Sequence, residues 1–189
     1  MNKQDINYQP LTKKDFANVL VLAKVVHGEG YLDDTQMQEW YEKGILNNIN
    51  SSYVAYHNDK LVGFRISYSQ NSWQIDKWYS PELWRVELEN TAYFKCNTVD
   101  EHYRGLGIGS KLLYLSIAAL IKQGAKAGVS HLWRQSPGNS AVKYFTKCGG
   151  ELVKSHPDKW YEDSLNGYKC TICGFDCHCE AAEMIIYFD

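Results

Sequence analysis

The chain has 189 residues, enough for one domain whose core needs no disulfides. Hydrophobic residues make up 44 % and charged residues 22 %, ordinary globular usage that excludes wholesale disorder. Lys plus Arg is 20 and Asp plus Glu is 22, a net charge of -2, so no global basic field points to nucleic acid or an anionic membrane as partner.

No apolar run approaches the ~20 residues of a membrane span. Residues 1–10 are polar without an apolar h-region, so no secretory signal and a reducing, cytoplasmic location are expected. Residues 6–11 read as a short strand. Thr12 and Asp15 make a variant capping box before a helix. Phe16, Val19, Leu20, Ala23 and Val26 carry its helical spacing, and Gly28 stops it. His27-Gly28-Glu29-Gly30-Tyr31 is a glycine-flanked loop. A second helix starts after Asp33 or Asp34 and runs to Gly44 with Met37, Trp40 and Tyr41. Residues 52–57, the turn Asn58-Asp59 and residues 60–68 read as a hairpin. Residues 70–82 read as an aromatic loop, and residues 84–99 as one long extended element.

A glycine-rich turn comes next, then an apolar helix ending at Gly124 with Leu112, Leu113, Ile117, Leu120 and Ile121. Residues 129–134 read as a strand. Ser136-Pro137-Gly138 breaks it, and residues 139–147 read as a helix ended by Gly149-Gly150. A cysteine cluster precedes a last strand over 183–188. The reading is one α/β domain over 1–189, with residues 168–180 as a cysteine-rich insertion. The sheet starts antiparallel and contains one strand–helix–strand crossover.

The turn reads Val99-Asp100-Glu101-His102-Tyr103-Arg104-Gly105-Leu106-Gly107-Ile108-Gly109-Ser110-Lys111. Alternate glycines between a strand and a helix leave N–H groups pointing outward at a helix N-terminus, a cradle for pyrophosphate. Arg104 and Lys111 add positive charge. The dinucleotide fingerprint fails, because Ser110 stands where the third Gly is required. A P-loop fails, because Ser110 precedes Lys111-Leu112. A tight turn without a ligand is the competing reading.

Arg104-Gly105-Leu106-Gly107-Ile108-Gly109 resembles the acyl-CoA motif Q/R-x-x-G-x-G/A of the GNAT superfamily of N-acetyltransferases. Residues 136–150 resemble its segment N-x-x-A-x-x-F/L-Y-x-K-x-G-F, with Ala141, Lys147 and Gly149 in place. Gly138 stands at the family Asn, with Asn139 one residue late. Phe145 stands at the family Tyr, with Tyr144 beside it, and Gly150 replaces the family Phe. Thr12-Lys13-Lys14-Asp15-Phe16 resembles the first helix start, and Leu61-Val62-Gly63-Phe64 the third strand. The resemblance covers roughly residues 5–154 and the last strand.

The resemblance implies a GNAT-type mixed central sheet flanked by helices, and acetyl-CoA as cofactor. It implies that backbone groups of Thr98 and Val99 hold the pantetheine arm. It places Arg104, Gly105, Leu106, Gly107, Ile108, Gly109 and Ser110 on the pyrophosphate, with Lys111 and Asn139 as further cofactor contacts. It implies direct transfer to a primary amine of an unidentified acceptor, a small molecule or a peptide, contacted by Glu29 and Tyr31. A homodimer is common in the family.

Removing the amine proton needs a base or a water relay. Glu89 is the expected base, with Glu87, Asp100, Glu101, His27, His102 and His131 as other candidates. Tyr144 is the expected acid. Cys96 reads as a buried strand cysteine rather than an acyl carrier.

Cys170, Cys173, Cys177 and Cys179 have the form C-x2-C-x3-C-x-C. Four thiolates suffice for a closed, structural zinc site, and a disulfide or ordinary buried thiols are the competing readings. His178 or His156 could replace one thiolate. Two other functions stand beside acetyl transfer. One is a non-catalytic acyl-CoA-binding or interaction protein that keeps the fold. The other is a zinc-dependent nucleic-acid module over 156–180, disfavoured because Asp158, Glu162 and Asp163 offset Lys154, Lys159 and Lys169.

Overall fold

The structure, a computed structural model, describes residues 5–188, so residues 1–4 of the polar start lie outside the described residues. Seven strands form one sheet in the order β1 (Ile6–Pro10), β4 (Tyr53–His57), β5 (Lys60–Tyr68), β6 (Thr91–Val99), β7 (Ala127–Trp133), β9 (Ala181–Tyr187) and β8 (Glu151–His156). β2 (Ile45–Leu46) and β3 (Ile49–Asn50) make a separate short hairpin. All neighbours in the large sheet are antiparallel except β6 and β7, which α3 (Ile108–Gln123) joins as a crossover.

Side chains divide the sheet into two covered faces. Leu61, Phe64 and Ile66 of β5 pack with Val19 and Leu22 of α1 (Phe16–His27) and Met37 and Trp40 of α2 (Asp34–Lys43). On the other face, Val62 packs with Ile108 and Leu112 of α3. Phe94 packs there with Leu113, Leu120 and with Phe145 of α4 (Ser140–Lys147). The expected capping residues are in place. Asp15 Oδ2 accepts the Thr12 N–H at 2.8 Å, and Asp33 Oδ1 accepts the Gln36 N–H at 2.8 Å.

The long element expected over 84–99 is shorter than its sequence suggests. Short 3-10 turns occupy Pro81–Leu83 and Leu88–Asn90, and the strand begins only at Thr91. Thr91 Oγ1 donates to Glu87 O at 2.9 Å and closes the second turn. The aromatic loop before it is fixed by one buried carboxylate, Glu183 of β9. Its Oε1 accepts Ser80 N–H and Trp84 Nε1–H, each at 2.9 Å, and its Oε2 lies 2.8 Å from His156 Nε2. Two elements gave little sequence signal. β8 is an edge strand whose Glu151 and Lys154 are exposed, a polarity that discourages edge pairing but hides strand alternation. α5 (Tyr161–Leu165) is only five residues long. No helix among the described residues is long and apolar enough to cross a membrane.

Glu183→Ala is expected to cost about 3 kcal/mol in urea unfolding, because two N–H donors and His156 lose their buried partner. A loss within 0.5 kcal/mol of zero contradicts this role for the carboxylate.

Candidate functional site

β6 and β7 pair only where residues 91–93 meet residues 127–129. Lys95 is then the extra residue of a bulge, since Ile66 faces Cys96 and Ser67 faces Phe94. Ser130 Oγ donates to Phe94 O at 2.9 Å, a side-chain bond where the ladder ends. Beyond it the β7-facing backbone of residues 95–99, including Thr98 and Val99, has no strand partner among the described residues. The parted strands open a cleft through the middle of the sheet.

The glycine turn borders this cleft on the α3 face. Gly105 and Gly107 have φ of 78° and 83°, in the left-handed region, and Gly107 is the N-cap of α3. A methyl group at either position would meet open space, so backbone angle alone requires glycine. At Gly109 a Cβ would lie 2.9 Å from Asn97 Nδ2, so a side chain there would push the Asn97 amide aside. The N–H groups of Ile108, Gly109 and Ser110 open the helix and have no partner within it. Arg104 and Lys111 are exposed beside them. Free amides and a positive helix end of this kind suit an anion.

Several buried polar atoms find no partner among the described residues, and Arg65 Nε, Asn97 Oδ1, Gln123 Oε1 and Asn139 Oδ1 are those on the α3/α4 face. Arg65 is fully buried, its guanidinium 4.4 Å from the centre of the Phe94 ring. Its Nη1 donates to Tyr144 Oη at 3.0 Å. Burial pushes the Tyr144 phenol above its ordinary value, and the Arg65 charge opposes the shift. Phe145, at the position the family gives to Tyr, is a core residue. It fills the space left by Gly150, where a Cβ would lie 2.3 Å from its ring.

The α1/α2 face of the cleft is aromatic. His27 Nε2 lies 2.7 Å from Thr98 Oγ1 and 3.7 Å from Cys96 Sγ. The His27 ring stacks on Tyr31 at 4.2 Å. Burial, with the Arg104 charge adding to it, lowers His27 to about 4, so the ring is neutral at pH 7. Lys95 Nζ sits 4.5 Å over the Trp40 ring, and burial lowers its pKa. Sequence reasoning passed over Lys95, Asn97 and Arg65; the available signal was polar residues inside otherwise apolar strands.

Not every expected residue reaches the cleft. Glu89 is exposed on the turn before β6, at the end of the strand remote from the glycine turn, so it does not face the site. Glu29 points outward to Lys24 at 2.8 Å, leaving Tyr31 as the loop residue that faces inward. His102 is exposed beside Glu101. His131 is held by Trp78 O at 2.6 Å and Tyr93 Oη at 3.2 Å, and burial lowers it to about 3.

The four clustered cysteines converge. Their Sγ atoms all lie within 4.8 Å of one another, with 3.9 Å between Cys170 and Cys179 and 3.6 Å between Cys173 and Cys179. A disulfide brings sulfurs to ~2.05 Å. Thiolates at ~2.3 Å around a tetrahedral zinc stand ~3.8 Å apart. The set can hold a metal ion.

The family model of the Acetyltransferase (GNAT) family matches residues 17–150. The chain belongs to the GNAT acetyltransferase family. Its mixed sheet, parted between β6 and β7, is the GNAT fold. Solved structures agree in fold. The yncA acetyltransferase of Salmonella typhimurium, described with its cofactor acetyl-CoA, has a TM-score of 0.69 at 17 % identity, covering 97 % of this chain and 94 % of that one. Naa50 of Arabidopsis thaliana, in complex with the bisubstrate analogue CoA-Ac-MVNAL, gives 0.64 at 19 %, covering 97 % and 99 %. Ard1 of Thermoplasma volcanium gives 0.69 at 15 %, covering 98 % and 99 %. Among curated proteins nothing matches.

Two half-buried histidines held neutral by desolvation make this GNAT protein acid-sensitive. Unfolding returns His27 and His131 to 6.5, so the unfolded chain takes up protons that the native chain refuses until about 4 and about 3. Their contribution is fully present above pH 6.5 and is lost as the pH falls below it. Urea unfolding at pH 7 and pH 5 is expected to differ by about 2 kcal/mol for each histidine, and His27→Gln removes one share.

Proposed function

We propose that this GNAT protein transfers an acetyl group from acetyl-CoA directly to a primary amine of a small molecule or peptide. The observation that carries the reading is the left-handed glycine start of α3 beside the parted strands. Bound acetyl-CoA supplies the activated acetyl group. The amides from Gly105 to Ser110 and the α3 dipole hold its pyrophosphate, with Arg104 and Lys111 adding charge. Backbone groups of Thr98 and Val99 hold the pantetheine arm, with Asn139 at the start of α4.

Transfer removes one proton from the amine and delivers one to the departing thiolate. His27, hydrogen-bonded to Thr98 in the cleft and at about 4 too weak a base to keep a proton, passes the first on through a water relay in place of Glu89. Tyr144 gives the second. Its oxygen accepts from Arg65, which leaves its own proton free and stabilises the resulting phenolate. Tyr31 lines the acceptor side. The four cysteine thiolates hold one structural zinc ion, whose closed ligand set leaves the chemistry to the cleft. The protein works in the reducing cytoplasm, where those thiols persist.

The test is mass analysis of acetylated products after incubation with acetyl-CoA and a panel of polyamines, aminoglycosides and short peptides. At least one amine is expected to gain an acetyl group. Tyr144→Phe is expected to lower kcat roughly 10²-fold at unchanged acetyl-CoA affinity. Gly107→Ala, strained at φ 83°, is expected to weaken acetyl-CoA binding about tenfold. Tight acetyl-CoA binding with no product from any amine would favour the non-catalytic reading.

A further inference from the structure

The cysteine segment forms the outer support of the loop that presents Tyr31. Residues 166–180 contain no helix and no strand, only a single bridge between Cys170 and Gly174. Three successive loop residues meet three successive residues of this segment. A Cβ at Gly28 would lie 2.3 Å from Lys169 O, and one at Gly30 would lie 2.5 Å from Gly167 O. Between them, Lys169 N donates to Glu29 O at 3.2 Å. The Tyr168 ring then stands 6.2 Å from Tyr31, which stacks on His27.

Both glycines sit at positive φ, 103° and 75°, so close approach and backbone angle together demand glycine there. The contact is therefore a built seam. The ends of the cysteine segment are tied by Tyr168 N–H to Asp163 O at 3.0 Å, by His178 to Asp158 at 2.8 Å and by Glu180 N–H to Gln135 Oε1 at 3.0 Å, and the thiol cluster fills the middle. Its small core is Cys170, Cys177 and Cys179 with half-buried Trp133, Trp160 and Tyr168. Cys177 N donates to Ser164 Oγ at 3.0 Å. Lys169, the residue that bonds the loop, directly precedes the first ligand, Cys170. The glycine turn over 105–110 lies on the opposite face of the sheet and shares none of these contacts.

We infer that metal in the four-cysteine site positions the acceptor loop, so that its occupancy builds the amine side of the cleft and leaves the acetyl-CoA side intact. This rests on the zinc and acetyltransferase readings above. A structural ion is thereby a positioning element for the acceptor, acting through the order Cys170, Lys169, Glu29, Tyr31, His27.

Hydrogen exchange on the full chain tests it, after zinc content has been measured. A protein that holds no zinc and takes up none refutes the zinc reading itself. With one zinc per chain established, chelation is expected to speed exchange about tenfold or more in peptides covering both 167–179 and 27–33. Peptides covering 105–115 and the affinity for acetyl-CoA are expected to stay within threefold. Opening of 167–179 with 27–33 unchanged would overturn the inference, and so would collapse of the whole chain. Gly30→Ala provides the second arm. It breaks the seam and spares the thiols, so zinc is expected to remain while exchange at 27–33 rises. Unchanged exchange at 27–33 in that variant also overturns it.

Discussion

A sheet that parts in its middle leaves backbone N–H and C=O groups without partners, and the rest of this molecule is arranged around that deficit. The parallel ladder between β6 and β7 ends after three residues. Lys95 bulges out of register, and Ser130 caps the last carbonyl with its side chain. The remainder of β6 is strand backbone open on one side, at the foot of a helix whose own first amides are open as well. Unmet hydrogen-bonding groups on this scale require either water or a ligand with matching groups.

The two faces of the cleft differ in chemistry. The α3/α4 face offers amides, a helix dipole and the Arg65–Tyr144 pair, suited to holding phosphate and delivering a proton. The α1/α2 face offers rings and a neutral imidazole, suited to an uncharged amine. The protein supports the faces differently too. α3 packs in two of the cores, whereas the loop carrying Tyr31 sets that ring on the α1/α2 core and rests its backbone on the cysteine segment.

Much of this was legible in the residues because local chemistry dictates it. Helical spacing marked α1 and α3. Glycines at 105, 107 and 109 marked a turn that tolerates left-handed angles and close approach. Cysteine spacing marked four thiols that the fold brings together. The features that stayed hidden depend on distant contacts. Nothing between Trp84 and Thr91 announces a break, since the 3-10 turn there is held by Thr91 itself, and so Glu89 read as a strand residue. Arg65 stayed unread because its partner Tyr144 lies 79 residues away. Whether Tyr144 or Phe145 faced the cleft turned on Gly150, whose missing side chain admits the Phe145 ring. The seam between Gly28, Gly30 and the cysteine segment joins residues too far apart for any local pattern to show.

The central claim is that the parted strands and the glycine turn form an acetyl-CoA site. The most direct measurement is a thermal melt with acetyl-CoA, with NAD as the control phosphate ligand. At 100 times its dissociation constant, acetyl-CoA is expected to add about 2.7 kcal/mol of stability. For a chain of this size that raises the midpoint by roughly 5–10 °C. NAD is expected to leave it in place. No shift at saturating acetyl-CoA, or an equal shift with NAD, would contradict the account.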